Sequence, residues 1–280
     1  LIVCSDRFPI KGNFSDFVEI RTYRHSNIPL LSTIISNYRL SKLLFSMDVE
    51  GIPKKVMVDW RMMSGFLRAK SRIPEISGTK LIFEDRSPPA GKTIRSKLQW
   101  GVYDRAWRSA AIEAEVANVL VSGLEEFVKK RFSELGALDF IITPSGVDVS
   151  RFSPDLSPID GARGVRVVYH GALDRGRGLE RLEVLQRKLT ENGINSVFTI
   201  IGDGELSKRF EILSNERVEF DFLGRLESGD LPRKVSENVY GILPLPDALE
   251  WNLGSPLKVM EFAASGLKCL TTDVDGTAPF

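Results

Sequence analysis

Short apolar runs separated by helix-length amphipathic stretches set the strongest limit on how this chain can fold. VRVVYHG (165–171) ends at a glycine. GLERLEVLQRKLTENG (178–193) follows with apolar residues at helical spacing and a glycine stop, and SVFTIIGDGE (196–205) begins the cycle again. VEFDFLGRL (218–226), YGILPLP (240–246) and KCLTTD (268–273) read as further strands. The first half keeps the same rhythm. LIVCSD (1–6), VEIRTY (18–23), VMVDW (56–60), KLIFED (80–85), VANVLVSG (116–123) and FIITPSG (140–146) read as strands, with helices predicted over 26–45 and 94–115. Strands that are apolar throughout and alternate with helices are covered on both faces, which means parallel sheets. The predicted class is α/β. A length of 280 residues suits two ordinary cores better than one. The stretch SGVDVSRFSPDLSPIDGARG (145–164) is rich in Ser, Pro, Asp and Gly without periodicity, so it reads as a linker. The predicted domains are therefore 1–150 and 151–280.

Two places depart from this rhythm. LIVCSD and VEIRTY are separated only by residues 7–17, whereas a parallel crossover needs about a dozen residues or more. Either these strands form a hairpin or a segment is missing near 7–17. The chain begins without Met, and it stops at Phe280 just past a strand with no covering helix, so truncation is expected at both ends.

Composition narrows the function classes. No apolar run reaches the ~20 residues of a membrane-spanning helix, and the start has no basic segment of the kind that opens a signal peptide. Cys4 and Cys269 both lie in apolar, strand-like runs and read as buried free thiols of a reducing, cytoplasmic compartment. With His25 and His170 as the only histidines and no Cys/His cluster, no zinc site or histidine triad is expected. The net charge of +1 hides an asymmetry: residues 1–150 carry 22 Lys+Arg against 17 Asp+Glu, and residues 151–280 carry 16 against 20. A basic first half suits an anionic partner, or simply two domains with different surfaces. No nucleic-acid-binding module is apparent, and nucleic acid is not expected as a partner.

The candidate chemistry gathers at predicted strand ends. In SPLKVMEFAASGLKCLTTD (255–273) Ser255 is predicted to cap a helix with Pro256 at its first position and Gly266 as its stop. Such a helix start offers free N–H groups and the positive dipole end to an anion. Lys258 in the first turn adds a full charge, and Glu261, one turn on, could accept two hydroxyls of a ribose. The plain alternative is an i,i+3 ion pair on a solvated helix. YHGALDRGRGLE (169–180) places Gly171, Arg175 and Arg177 in a loop between strand and helix, where arginine forks suit phosphate oxygens; solvated arginines in a glycine-rich connection would look the same. IIGDGE (200–205), with Gly202, and FLGRL (222–226), with Gly224 and Arg225, occupy matching positions. Ligands of open α/β sheets bind at the carboxyl ends of strands, and that convergence outweighs any one of these elements.

Taken in order, Gly146-Val-Asp-x-x-x-Phe-x-Pro154, HGALDRGRG, IIGDGEL, FLGRL, ILPLP and SPLKVMEFAASGLKCLTTD resemble the donor half of the GT-B glycosyltransferases, specifically the retaining family 4 (glycosyltransferase group 1). The resemblance covers roughly 140–276 and is weak in the first half. It implies two Rossmann-like domains with parallel sheets facing a cleft, and transfer of a sugar from a nucleoside diphosphate donor to an acceptor hydroxyl with retention. It implies that Glu261 holds the nucleotide ribose and that backbone amides near Gly254, Ser255 and Leu257 hold diphosphate. Arg177 would neutralise the phosphates, and Gly224 and Arg225 would face the base. Lys258 would share in stabilising the leaving group. No metal or other cofactor is expected, because no Asp-x-Asp pair is placed for one; Asp273 and Asp275 have the spacing but follow the last strand. The chain departs from the family at Leu253, where a glutamate usually stands eight residues before Glu261, and at Gly171-Ala172, where Gly-Arg is common.

The acceptor side carries less signal. Asp85, in FEDRSPP (83–89), is the candidate catalytic carboxylate beside Glu84 and Arg86, against the alternative of a strand-end acidic cap. Between 86 and 108 six basic residues, among them Arg95 and Lys97, stand against Asp104 alone, and Trp100, Tyr103 and Trp107 recur at helical spacing. Arg95, Lys97, Trp100 and Trp107 are thus candidates for a face on anionic lipid or a lipid-phosphate acceptor. The alternative is an amphipathic helix with its aromatics in the core. The expected partners are a nucleotide-sugar donor and a glycan or lipid-linked acceptor, in polysaccharide or glycolipid biosynthesis. Two rival readings keep the architecture: a sugar-nucleotide epimerase, and a nucleotide-sugar-binding subunit without activity.

Overall fold

The structure, a computed structural model, describes residues 2–5, 20–24, 31–46, 55–91, 93–154, 164–227 and 229–280. The chain divides into two compact units, Leu1–Thr143 and Pro144–Phe280, so the division falls at 143/144 rather than at 150/151. The start of the predicted linker already belongs to the second unit. Ser145 donates its backbone N–H to Ser255 Oγ (3.1 Å) and its hydroxyl to the Ser255 carbonyl (3.0 Å). Residues 155–163 of that linker lie outside the described residues.

The first unit runs β1 (Ile2–Ser5), β2 (Ile20–Tyr23), α1 (Ser32–Phe45), β3 (Lys55–Asp59), α2 (Met63–Lys70), α3 (Pro74–Ser77), β4 (Lys80–Asp85), α4 (Ile94–Glu113), β5 (Ala114–Val119), α5 (Ser122–Arg131) and β6 (Asp139–Ile142). β1 and β2 pair in parallel, with Ile2 opposite Ile20 and Ser5 opposite Tyr23. The hairpin expectation is therefore wrong. Both strands are shorter than the apolar runs suggested, which leaves 6–19 for the connection, enough for a crossover. β3 to β6 form a four-stranded parallel sheet in sequence order. Its core packs Leu81, Phe83, Ala117 and Val119 from the strands with Met63, Phe66, Trp107, Leu124 and Val128 from the helices. Thr93 accepts the Ser96 amide at 3.2 Å and caps α4.

The second unit runs β7 (Val165–His170), α6 (Arg181–Glu191), β8 (Ser196–Ile201), α7 (Ser207–Glu216), β9 (Phe220–Gly224), α8 (Leu231–Ser236), β10 (Tyr240–Leu243), α9 (Leu249–Asn252), α10 (Leu257–Ala264) and β11 (Lys268–Thr271). Its five parallel strands lie in the order β11-β10-β7-β8-β9. Alternate residues of the strands bury on opposite faces, as a fully covered parallel sheet requires. Val167, Tyr169, Phe198 and Ile200 pack with Leu182, Phe210 and Leu213, while Val168 and Ile201 pack with Val235, Phe262 and Leu267. α10 ends as expected: Gly266 has φ +76°, Leu267 N–H reaches the Phe262 carbonyl and Gly266 N–H the Ala263 carbonyl, both at 3.0 Å.

That strand order fixes where a ligand can sit. β7 has β8 on one side and β10 on the other, so the connections leaving β7 and β10 run to opposite sides of the sheet. A crevice opens between them at the carboxyl ends, the topological switch point of an open α/β sheet.

Candidate functional site: the switch point of the second sheet

β7 delivers His170 and Gly171 to this crevice. The chain after β10 delivers α9 and the start of α10. No side chain caps α10. Pro256, not Ser255, stands at the cap position, because the Ser255 hydroxyl is occupied by the Ser145 amide. This corrects the predicted cap. It also leaves the first-turn amides of Leu257 and Lys258 without a helical acceptor, and thus available to an anion.

Lys258 extends from that first turn over Gly171. A Cβ on Gly171 would lie 2.8 Å from Nζ and press the lysine tip aside, and the φ of +123° there favours glycine. Burial, then the nearby Arg177 charge, pushes Lys258 down to about 8, with Glu261 acting in the opposite direction. Glu261 lies on the same face of α10. Burial raises its pKa, and Lys258 and Arg151 oppose that. Beneath both sits His170, 4% exposed, edge-on to the Phe262 ring with centroids 5.2 Å apart. Its Nε2 is 3.3 Å from Glu261 Oε2, but the approach does not make a hydrogen bond, and this nitrogen has no hydrogen-bond partner among the described residues. Burial first, and the Lys258 charge second, depress the imidazole to about 3, so it is neutral.

Arg177 is held at the rim. Its guanidinium carbon lies 5.1 Å from the centroid of the Trp251 ring, and Trp251 Nε1–H donates to the Gly176 carbonyl at 3.2 Å. Asp174 is the nearest acid to Arg177, at 3.8 Å. The floor is made of backbone. Gly171 N–H donates to the Ile201 carbonyl (2.9 Å), and Gly202 N–H to the Gly224 carbonyl (2.8 Å). Gly202, at φ +145°, lies so close to the Gly171 carbonyl that a Cβ would overlap it.

No protein-family model and no curated protein matches the sequence. Solved structures do match. Sucrose-phosphate synthase from Thermosynechococcus elongatus superposes with a TM-score of 0.71 at 14% identity, over 97% of this chain and 70% of that one. The catalytic domain of starch synthase IV from Arabidopsis thaliana, bound to ADP and acarbose, gives 0.63 at 12% identity, over 91% and 63%. The pneumococcal O-GlcNAc transferase GtfA, in complex with UDP and GlcNAc, gives 0.60 at 15% identity, over 84% and 44%. The fold is that of the GT-B glycosyltransferases. This chain spans less than half of the GtfA chain and under two thirds of the starch synthase domain.

On this GT-B frame the predicted donor residues divide into two groups. Gly171, Arg177, Gly254, Ser255, Leu257, Lys258 and Glu261 all belong to the β7 end, its loop or the α10 entry. Gly202, Gly224 and Arg225 lie at the ends of β8 and β9, one and two strands away, and Arg225 is exposed. Arg175 shares the loop of Arg177 but turns away: it is 82% exposed, stands 3.8 Å from Glu205 and lines a separate groove between that loop and α7. His170, Arg151 and Trp251 were not singled out from the sequence. His170 had one visible signal, a lone histidine directly before the glycine that ends the first strand of the unit.

Two candidates of the first unit lie in its core. Asp85 is fully buried. Its Oδ2 accepts from Tyr103 Oη (2.6 Å) and Trp107 Nε1 (3.0 Å), and its Oδ1 from the Ser87 amide (3.1 Å). Burial still lifts it to about 6. With these donors it ties α4 to β4, as a buried structural carboxylate does. Trp107 is also fully buried, stacked between Phe132 and Phe140. Trp100 packs edge-on to Tyr103 and Phe127 under the Arg131 guanidinium. The helical spacing of these aromatics therefore marks the core side of α4. Lys97 is exposed, and the Arg95 side chain lies outside the described residues. No helix among the described residues is long and apolar enough to cross a membrane.

Proposed function

We propose that this protein is a glycosyltransferase that moves a sugar from a nucleoside diphosphate sugar to an acceptor hydroxyl with retention of configuration. One observation carries the reading: a cation, a carboxylate and an uncapped helix start meet at the switch point of the second sheet. The α10 amides and Lys258 suit a diphosphate, and Glu261, one turn further, suits the paired hydroxyls of a ribose. Two structures of the same fold are described with UDP and with ADP, which supports a nucleoside diphosphate here. As the sugar–phosphate bond breaks, charge develops on the leaving diphosphate. Lys258, Arg177 and the helix start are preorganised to stabilise it, the largest effect such a site can supply. No resident metal or organic cofactor is part of this proposal. The acceptor is a glycan or lipid-linked hydroxyl.

A thermal-shift screen with UDP, GDP, ADP and CDP tests the site, followed by product analysis with the matching nucleotide sugars. The Glu261→Ala variant removes hydrogen bonds to a charged acceptor, worth about 1.5–3 kcal/mol, so affinity is expected to fall at least tenfold. An undiminished shift in that variant would remove the ribose assignment. One feature favours the non-catalytic reading: Leu253 is buried where the resemblance leads one to expect a glutamate. Nucleotide binding with neither transfer nor epimerisation would decide for that reading.

A further inference from the structure

With Trp107 buried and Trp100 packed against Phe127, the outer side of α4 mixes exposed apolar and basic side chains. Ile94, Lys97, Leu98, Gly101 and Arg105 share one side of the helix at helical spacing. Ile94 is 73% and Leu98 52% exposed. α1 presents a matching side through Leu31, Ile34 (63% exposed) and Tyr38, with Lys42 next along it. The two sides enclose a groove of about 440 Å³ whose walls include Ile34, Leu98, Lys97 and Arg105. It continues between α1 and α2 as a second hollow of about 480 Å³ that shares Ile34 and Arg105 and adds Arg68. Single exposed apolar residues are ordinary, but a contiguous apolar strip across two helices marks a contact surface.

Charge decides what it contacts. α1, α2 and residues 93–103 contain no Asp or Glu. The one acid further along α4 before Glu113, Asp104, is turned to α5 and paired with Arg131 through two 2.9 Å contacts. Lys97, Arg105 and Arg68 make no ion pair among the described residues. Apolar side chains flanked by unneutralised cations are the composition of a face that lies in the headgroup layer of an anionic bilayer.

We propose that this face of the first unit, built by α1, α2 and the front half of α4, docks on membrane surfaces rich in anionic lipid. The site is independent of the donor site, and nothing in it rests on the chemistry proposed above. Leu31, Ile34, Ile94 and Leu98 enter the boundary between headgroups and acyl chains, and Lys97, Arg105 and Arg68 pair with lipid phosphates.

Vesicle sedimentation of the full chain tests this, comparing phosphatidylcholine vesicles with vesicles containing phosphatidylglycerol, at low and high salt. Binding is expected only with the anionic lipid, and weaker at high salt. Each cation near such a surface is worth about fivefold in affinity, so Lys97→Gln with Arg105→Gln should weaken binding roughly 25-fold. Leu98→Gln keeps the charges and should still lose most of the binding. These side chains are exposed, so unfolding temperatures should match the parent; if the Leu98 variant unfolds early, Ile34→Gln on the other helix takes its place. Equal sedimentation with both vesicle types, or substitutions without effect, would overturn the proposal. So would a lipid-free dimer dissociated by Leu98→Gln in a chain that ignores vesicles, which would give the face to a second copy.

Discussion

Lys258 offers a prediction whose size follows from the structure. In the free protein burial and the Arg177 charge hold it near 8. A diphosphate on the α10 amides would supply the missing counter-charge and return it toward ~10.5, the ordinary lysine value. Binding must then take up a proton wherever the free lysine is partly neutral. At pH 8 about half of the free molecules carry the charge, so ~0.5 proton is taken up per nucleotide bound. Between pH 7 and pH 9 the charged fraction falls about tenfold, and affinity should fall with it by ~1.4 kcal/mol. Titration calorimetry of the preferred nucleotide in phosphate and in Tris reads the proton directly, from the difference in apparent enthalpy. Lys258→Met should bind more weakly and show neither the proton nor the pH slope. The sign for stability is the opposite. A lysine with a depressed pKa burdens the folded state in full below about 8, and the burden fades as pH rises toward the unfolded value. Without nucleotide, Lys258→Met should therefore unfold at higher denaturant than the parent at pH 7. A nucleotide that binds with equal affinity at pH 7 and 9, with no buffer dependence, would refute the placement of Lys258 against the phosphates.

Other expectations concern the two cores. Asp85 has a raised pKa, so the stability it contributes is whole below ~pH 4 and is lost as pH rises through about 6, at most ~3 kcal/mol; Asp85→Asn should flatten the urea-unfolding pH profile of the first unit over that range. Tyr103→Phe removes a 2.6 Å donor from the same buried carboxylate and should cost ~1–3 kcal/mol at pH 7. Gly202 and Gly193 both have positive φ, but only a Cβ at 202 meets backbone, the Gly171 carbonyl. Gly193→Ala should cost ~1–2 kcal/mol and Gly202→Ala clearly more, with nucleotide affinity reduced in the latter alone.

The alternation of apolar runs and amphipathic stretches located the strands well. KLIFED became β4 residue for residue, and VRVVYH became β7. Runs of this kind are legible because burial on both faces leaves no polar positions to blur them. Long-range partners were not legible. Ser255 has every local mark of a cap, yet its hydroxyl serves Ser145, 110 residues away. Asp85 looked like a strand-end carboxylate open to a ligand, and only the donors from α4, 18 and 22 residues on, show that it points inward. Trp100 and Trp107 were correctly placed on one helix, but spacing alone does not tell a core stripe from a membrane stripe. The parallel pairing of β1 with β2 went unseen because the apolar runs overstate both strands and so shorten the connection. The proposed donor residues near Lys258 are legible as a cluster because a glycine ends the strand and a helix begins, both of which are local events.

The backbone floor of the site bears on how the proposed donor site could be altered. The loops after β7, β8 and β9 hand hydrogen bonds from one to the next through Gly171, Gly202 and Gly224, so their main chains form one frame that tolerates little drift. The side chains above that frame are under no such constraint: Arg225 is exposed, and Ala172 has part of its surface in solvent. In the proposed donor site, selection for a different base or sugar would proceed by exchanging what stands on the loops while the loops themselves stay fixed. A library varied at 172 and 225 would explore the specificity of the proposed donor site at little risk to folding, whereas substitution at Gly202 drives a Cβ into the Gly171 carbonyl.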